Sequence, residues 1–296
     1  IIIAVNLYIE KEGYILNFTK MHGLGNDFLV VKGLEEDIPT IIKNAKKICD
    51  RHFGVGADGI LLVLPSDVAD IKMRIINSDG SEAPMCGNGV RCFASFVYKK
   101  GIVAKKNMTV ETIAGIQRPE IIMKDDIVTA IKVDIGTYSF LNQDIPVEGE
   151  PDKEAKNLEI KIDENLFEAT GVDMGNPHCV IFTDDVEKVP LEKWGPKIEN
   201  YPLFPLKTNV EFVQVISKDH LKMRVWERGC GITMACGTGA CAVAAAAFEK
   251  GFTGKQVKVT LPGGDLFIEL TDDKRVYMTG PAREVFEGRL ELEKIC

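Results

Sequence analysis

Two stretches of the chain place a cysteine before a Gly-X-Gly turn: PMCGNGVRCFASFVYKKG, Pro84 to Gly101, and MACGTGACAVAAAAFEKG, Met234 to Gly251. In each, the turn opens an apolar run that ends in Lys-Gly. A helix start leaves backbone N–H groups without partners inside the helix, and with the helix dipole they favour an anion. A carboxylate or phosphate can dock there, and a cysteine there has its thiolate favoured. Cys86 and Cys236 are therefore candidates for reactive sulfur with a lowered pKa. Cys92 and Cys241 fall inside the helices and read as packing residues.

A pair of activated thiols matches one chemical need. Inverting a carbon stereocentre that bears a proton requires a base on one face and an acid on the other. A thiolate removes the proton, the second thiol returns one, and the carbanion between them is stabilised if its carboxylate lies at the helix N-termini. A dry, preorganised site then demands no electron-sink cofactor. Other readings compete. A metal site is disfavoured because C-x5-C and C-x4-C spacings are not those of structural zinc. A redox pair is disfavoured by the absence of C-x-x-C. The turns match neither the P-loop nor the dinucleotide fingerprint. Two inert buried thiols remain the bland alternative.

The elements that position the cysteines repeat. The two sulfurs stand 150 residues apart, and the same offset lays KMRIINSDG on KMRVWERGC and GNDFLVV on GNPHCVI. VETIAG meets VTLPGG with a one-residue slip. Separated segments at one offset imply two domains of one fold, related by duplication. The expectation is a pseudo-twofold pair of lobes with a cleft between them. Residues 1–134 with 281–296 form the lobe carrying Cys86, and 135–280 the lobe carrying Cys236.

Strands are expected across NFTKMHGLGNDFLVVKG and near 59–64, 71–77, 110–112 and 127–135, then at 179–182, 212–215, 223–226, 257–261, 266–270 and 276–279. Helices are expected at 41–51, 90–100 and 239–250. Residues 138–152, rich in Pro, Gly and acids, read as the approach to the second half. The class is α+β, each lobe a mixed sheet around a central helix. The helix after Cys236 is apolar on every face and belongs in the middle of its lobe. The helix after Cys86 carries Arg91 and Lys99, expected on a wetter side.

Composition bounds the partners. The chain has 296 residues, 45% apolar and 27% charged, with a net charge of −8. That balance argues for an ordinary globular protein and against nucleic acid or an anionic membrane surface as its main partner. Eight cysteines in so large a chain are no disulfide scaffold and suit a reducing, cytoplasmic compartment. Residues 1–15 lack the features of a signal peptide and read as an extension, with an added strand as one role.

Polar residues recur at matched places. Asn26 and Asn176 each follow a glycine and offer both donor and acceptor to a zwitterion. Asn77 and Glu227 are equivalent, each nine residues before its cysteine. Glu227 can hold an ammonium or shift a thiol, and Arg228 can pair with a carboxylate. His178 stands where it can tune a nearby thiol. Turn-forming asparagines and a solvated charge pair are the plainer readings.

TKMHGLGNDF, NSDGSEAPMCGNGVRCFA, MGNPHCV, ERGCGITMACGTGACA and LPGGDL together resemble the diaminopimelate epimerases from Phe18 to the end. The resemblance implies a cofactor-independent homodimeric enzyme that interconverts LL- and meso-diaminopimelate for lysine and peptidoglycan synthesis. It places the acid–base pair on Cys86 and Cys236. It places substrate contacts on Asn26, Asn77, Gly87, Asn88, Asn176, Asn209, Glu227, Arg228, Gly237 and Thr238, with His178 and Glu227 adjusting the thiols. It implies no metal, and a C-terminal strand that returns to the first lobe. Two departures stand out: Gly59 in GADGI where some members carry Gln, and Ile232 in ERGCGIT where an acid is usual. A racemase of another amino acid, or a protein that only binds one, are the alternatives.

Overall fold

The computed structural model describes residues 15–295. Apart from Ile15, the expected N-terminal extension lies outside the described residues, as does Cys296. The chain divides into two compact units, one running to Val133 and resuming at Gly280, the other Asp134–Thr279.

The first unit holds β1 (Ile15–Gly23), β2 (Asn26–Lys32), α1 (Ile38–Ile48), β3 (Gly59–Leu64), β4 (Ile71–Asn77), β5 (Glu82–Ala83), α2 (Gly87–Lys99), β6 (Val110–Thr112), β7 (Gly115–Gln117) and β8 (Glu120–Lys124). β9 (Ile127–Thr137) carries the chain into the second unit. There follow β10 (Leu158–Ile162), β11 (Asn165–Asp173), β12 (Pro177–Phe182), α3 (Leu191–Glu199), β13 (Asn209–Ser217), β14 (His220–Glu227), β15 (Gly231–Ile232), α4 (Gly237–Glu249), β16 (Gln256–Leu261), β17 (Gly264–Leu270) and β18 (Arg275–Gly280). β19 (Arg283–Glu291) then returns to the first unit and pairs antiparallel with β1.

The sheet of the first unit runs β19-β1-β2-β3-β4-β6-β7, with β5 on β4; that of the second contains β10-β11-β12-β13-β14-β16-β17-β18, with β15 on β14. The first order matches β10 to β17 of the second strand for strand, and β18 has no counterpart in it. β2–β3 and β12–β13 are parallel, each joined through a helix. Phe28 pairs with Gly59 as His178 pairs with Asn209, so even the register repeats at the 150-residue offset. β4–β6 and β14–β16 are the second parallel pairs, and their crossovers are α2 and α4. β3 is buried along its whole length, as a strand with both faces covered should be.

Each helix forms for a local reason. α1 buries Ile38, Ile41, Ala45 and Ile48 at helical spacing and has lysines in its last turn. α4 is buried from Gly237 to Ala247 save Thr238, and β11, β12, β13, β14, β16 and β17 all pack on it. Its alanines let that many strands approach. α2 packs on β1, β2 and β3.

The structure corrects several expectations. NFTKMHGLGNDFLVVKG is two strands, because Leu24 and Gly25 take positive φ (58° and 91°) and reverse the chain. α3 was not anticipated, since Pro196 sits inside it. It forms because Leu191, Trp194 and Ile198 share a buried face, and Gly195 leaves room for the Trp226 ring, which an added Cβ would meet at 2.5 Å. Arg91 does not face water. It is wholly buried, with its Nη2 donating to Asn88 Oδ1 (2.9 Å) and its Nε to the Pro281 carbonyl (3.3 Å). Those acceptors are why a guanidinium is tolerated there.

Candidate active site

Cys86 is the N-cap of α2 and Cys236 the N-cap of α4, both with extended backbone. Each sulfur accepts from the backbone N–H three residues on: Gly89 at 3.4 Å and Gly239 at 3.3 Å. The main-chain N–H groups of Gly87, Asn88, Gly237 and Thr238 belong to the first helical turn, where no intrahelical acceptor exists. Thiol and anion-docking donors therefore sit together in both units.

Around Cys86 the network is built from amides. The thiol donates to Asn26 Oδ1 at 3.8 Å, and Asn88 Nδ2 donates to the same oxygen at 3.1 Å. Asn26 Nδ2 gives to Asp58 Oδ2 at 2.7 Å, which fixes the amide's orientation. Asp58 is in turn held by Arg51 (2.7 Å), and Arg51 also grips Asp27. Asn77 closes the tight turn after β4, with its Nδ2 donating to Ser81 Oγ at 2.9 Å. Gly59 is required by close packing. A Cβ there would lie 2.7 Å from the Ile76 carbonyl oxygen, so a longer side chain does not fit this backbone.

Around Cys236 the network joins an imidazole to a carboxylate and an amide. His178 Nδ1 lies 2.7 Å from Glu211 Oε1, and its Nε2 lies 3.1 Å from Asn176 Oδ1. His178 and Glu211 are fully buried. Asn209 donates to the Pro177 carbonyl (2.8 Å) and accepts from the Arg228 backbone N–H (2.9 Å), tying β13 to the turn after Glu227. The Arg228 guanidinium is exposed and donates to the Leu206 carbonyl at 3.1 Å. Thr238 Oγ1 lies 3.6 Å from the Cys236 sulfur. Ile232 is exposed on β15, opposite Trp226.

The two thiols differ in burial, Cys86 half-buried and Cys236 buried, and Cys236 departs from the lowered pKa expected at a helix start. Burial pushes the Cys236 thiol well above its ordinary range, and the charges of Glu227 and Glu211 push the same way. Thr238 and the Gly239 N–H oppose this and lose. Cys92, deep in α2, is pushed up to about 12 by burial, as a packing residue should be. Cys49, Cys179 and Cys241 are likewise buried, and Cys230 is exposed.

Two residues of this region were missed from the sequence. Glu199 of α3 accepts from Trp226 Nε1 (2.7 Å) and from the Gly229 N–H (3.0 Å), pinning the turn that carries Arg228. Glu211 was missed too; the signal for it was an acid within the apolar run NVEFVQV, at the offset position of Leu61. Among the described residues, His178, Glu211 and Cys236 are the one group whose donor atoms cluster closely enough for a metal, within 4.8 Å. The imidazole nitrogens are, however, already engaged by Glu211 and Asn176.

The two-lobed α+β fold is that of a group of solved structures. A PhzF-family phenazine biosynthesis protein from Bacillus anthracis superposes with a TM-score of 0.68 at 18% identity, over 93% of this chain and 99% of that one. A probable proline racemase from Agrobacterium radiobacter gives 0.68 at 15%, over 93% and 92%. Within that fold the chain belongs to the diaminopimelate epimerase family, whose sequence model matches residues 18–141 and 170–285. The diaminopimelate epimerase of Pelotomaculum thermopropionicum is 50% identical over 92% of this chain and 98% of its own length. That of Methanococcus maripaludis is 49% identical over 94% and 100%. The chain is accordingly an isomerase of the amino-acid racemase and epimerase class.

Proposed function

We propose that this chain interconverts LL- and meso-diaminopimelate, with Cys86 and Cys236 as the acid–base pair. The observation that supports this most directly is the doubled one: each unit caps its central helix with a cysteine whose sulfur accepts from a glycine N–H. One thiolate takes the α-proton, and its sulfur becomes S–H. The other thiol delivers its proton to the opposite face of the same carbon and becomes the thiolate. Charge developing on the α-carboxylate is met by the first-turn N–H groups of Gly87–Asn88 and Gly237–Thr238. Asn26, Asn77, Asn176, Asn209 and Glu227 orient the amino-acid end, and Arg228 takes the distant carboxylate through its exposed guanidinium. His178 and Glu227 set the protonation of the second thiol. The distant carboxylate is what separates this substrate from simpler amino acids. We also assign a cytoplasmic homodimer; no described helix is long and apolar enough to cross a membrane.

The test uses purified protein, LL-diaminopimelate and D2O, with no added cofactor. Deuterium at the α-carbon and formation of the meso isomer, read by NMR, are expected. Cys86→Ala and Cys236→Ala should each lower turnover by about 10²-fold or more, the usual worth of a positioned proton-transfer group. Full turnover in both directions by either variant overturns the two-thiol assignment.

A further inference from the structure

The duplication offers an internal control for the Cys236 site. At the offset positions, the first unit has Phe28, Leu61 and Asn77 where the second has His178, Glu211 and Glu227. The backbone is otherwise the same: a parallel strand pair in the same register, and a cysteine-capped helix with the same N–H to sulfur bond. The second unit has thus replaced an apolar pair beneath its thiol with a buried acid and an imidazole.

Glu211 is expensive to keep. It is wholly buried, and its Oε2 has no hydrogen-bond partner among the described residues. A buried carboxylate oxygen left unpaired is destabilising, and a leucine, present at the equivalent place in the first unit, would avoid that cost. Its other oxygen binds His178 Nδ1, and all three donor groups of Glu211, His178 and Cys236 lie within 4.8 Å of one another. The fit is close: a Cβ on Gly239 would meet Glu211 Oε1 at 2.8 Å and the Cys236 sulfur at 3.1 Å.

We propose that Glu211 is a positioning residue for the epimerisation: by fixing His178 and placing a negative charge beneath Cys236, it makes Cys236 the resting acid and leaves Cys86 as the resting base. This rests on the two-thiol reading above and deepens it, because duplication alone would leave the two sulfurs interchangeable. The direction of the Cys236 shift agrees, with burial first and Glu227 and Glu211 adding to it. The surrounding groups are few. β14 brings Glu227, β13 Glu211, and β12 His178 with the buried Cys179 that also feels Glu211. β11 brings Asp173, itself influenced by His178. On β16 and β17, Lys258 and Asp265 lie 3.7 Å apart and only partly buried.

Activity needs one thiol protonated, so the alkaline limb of kcat/KM reports loss of the resting acid's proton. Replacing Glu211 by Gln removes an anion, makes the Cys236 thiolate easier to form, and moves that limb to lower pH. The experiment compares wild type, Glu211→Gln and Glu211→Asp. It measures kcat/KM against pH, and alkylation of Cys86 and Cys236 by iodoacetamide against pH, read by peptide mass spectrometry. For Glu211→Gln the rate at pH 9 relative to pH 7.5 should fall about threefold or more against wild type, with the acid limb in place. Cys236 alkylation should begin at lower pH, and Glu211→Asp, which keeps the charge, should restore the wild-type profile. A uniform loss at every pH, with Cys236 alkylation unmoved, overturns the proposal and marks Glu211 as merely structural. Wild type supplies a readout that needs no variant: Cys86 should alkylate at lower pH than Cys236, and the reverse order refutes the assignment. Wild type without epimerase activity defeats the functional reading, while the alkylation profiles still decide the role of Glu211.

Discussion

Gly239→Ala and Gly89→Ala are the same change at equivalent places, and the structure assigns them different outcomes. Each glycine is the third residue of its helix and donates its N–H to the cap sulfur. In the first unit an added Cβ would lie 3.3 Å from Leu61 Cδ2 and 3.7 Å from the Cys86 sulfur. That is close, but the leucine methyl can turn aside. In the second unit the Cβ would lie 2.8 Å from Glu211 Oε1 and 3.1 Å from the Cys236 sulfur. Glu211 is held by His178, so relief requires a movement of roughly half an ångström or more in the acid or the thiol. Alanine in a helix gains up to about 1 kcal/mol over glycine. Overpacking costs about 1–3 kcal/mol. Gly89→Ala should therefore be neutral in stability or slightly stabilising, and Gly239→Ala destabilising by about 1–2 kcal/mol. The functional gap is wider, because displacing a proton donor by such amounts costs about 10- to 100-fold. Initial rates of LL-to-meso conversion, alongside thermal unfolding midpoints, measure both effects. Wild-type kcat in Gly239→Ala, or equal costs for the two alanines, would refute the close fit of Glu211 and Cys236 around Gly239.

Three further outcomes are expected. Glu199→Ala leaves Trp226 Nε1 and the Gly229 N–H without their acceptor; it should lower stability by about 2–4 kcal/mol in denaturant unfolding and raise KM more than it lowers kcat, through Arg228. Arg91→Met unpairs the Pro281 carbonyl and frees Asn88; a loss of about 2–4 kcal/mol is expected, and an unchanged unfolding midpoint would contradict the buried role given to it. Burial would raise the Asp27 carboxyl, but hydrogen bonds from Arg51 and Lys20 outweigh it and hold the group below 3.8, its ordinary value. A depressed carboxyl stabilises the fold above its unfolded-state value and loses that contribution as pH falls through the folded one. The stability gap between wild type and Asp27→Asn should therefore be full near pH 7 and close below about pH 3.8, as measured by unfolding at a series of pH values.

What the sequence determined by itself was whatever local spacing encodes. The caps, the two helices and the cysteines that cap them are read from a Cys-Gly-X-Gly turn before an apolar run, because capping involves residues three or four apart. The duplication was legible for a related reason: one offset shared by separate segments is a property of the string. α3 was hidden by its proline, and the first hairpin by a turn that only positive φ at Leu24 and Gly25 reveals. The tertiary structure alone decided the chemistry beneath each thiol. Parallel pairing of β12 with β13 brings Glu211 to His178 across 33 residues, and α4 settles its cap sulfur over them. Arg91, which reads as a surface charge, is buried because a carbonyl 190 residues away accepts from it. A thiol's ionisation depends on the burial and charges around it, and those are set by contacts between distant strands. Two helix starts that look alike in the string therefore hold one sulfur half-buried and the other buried beside Glu211.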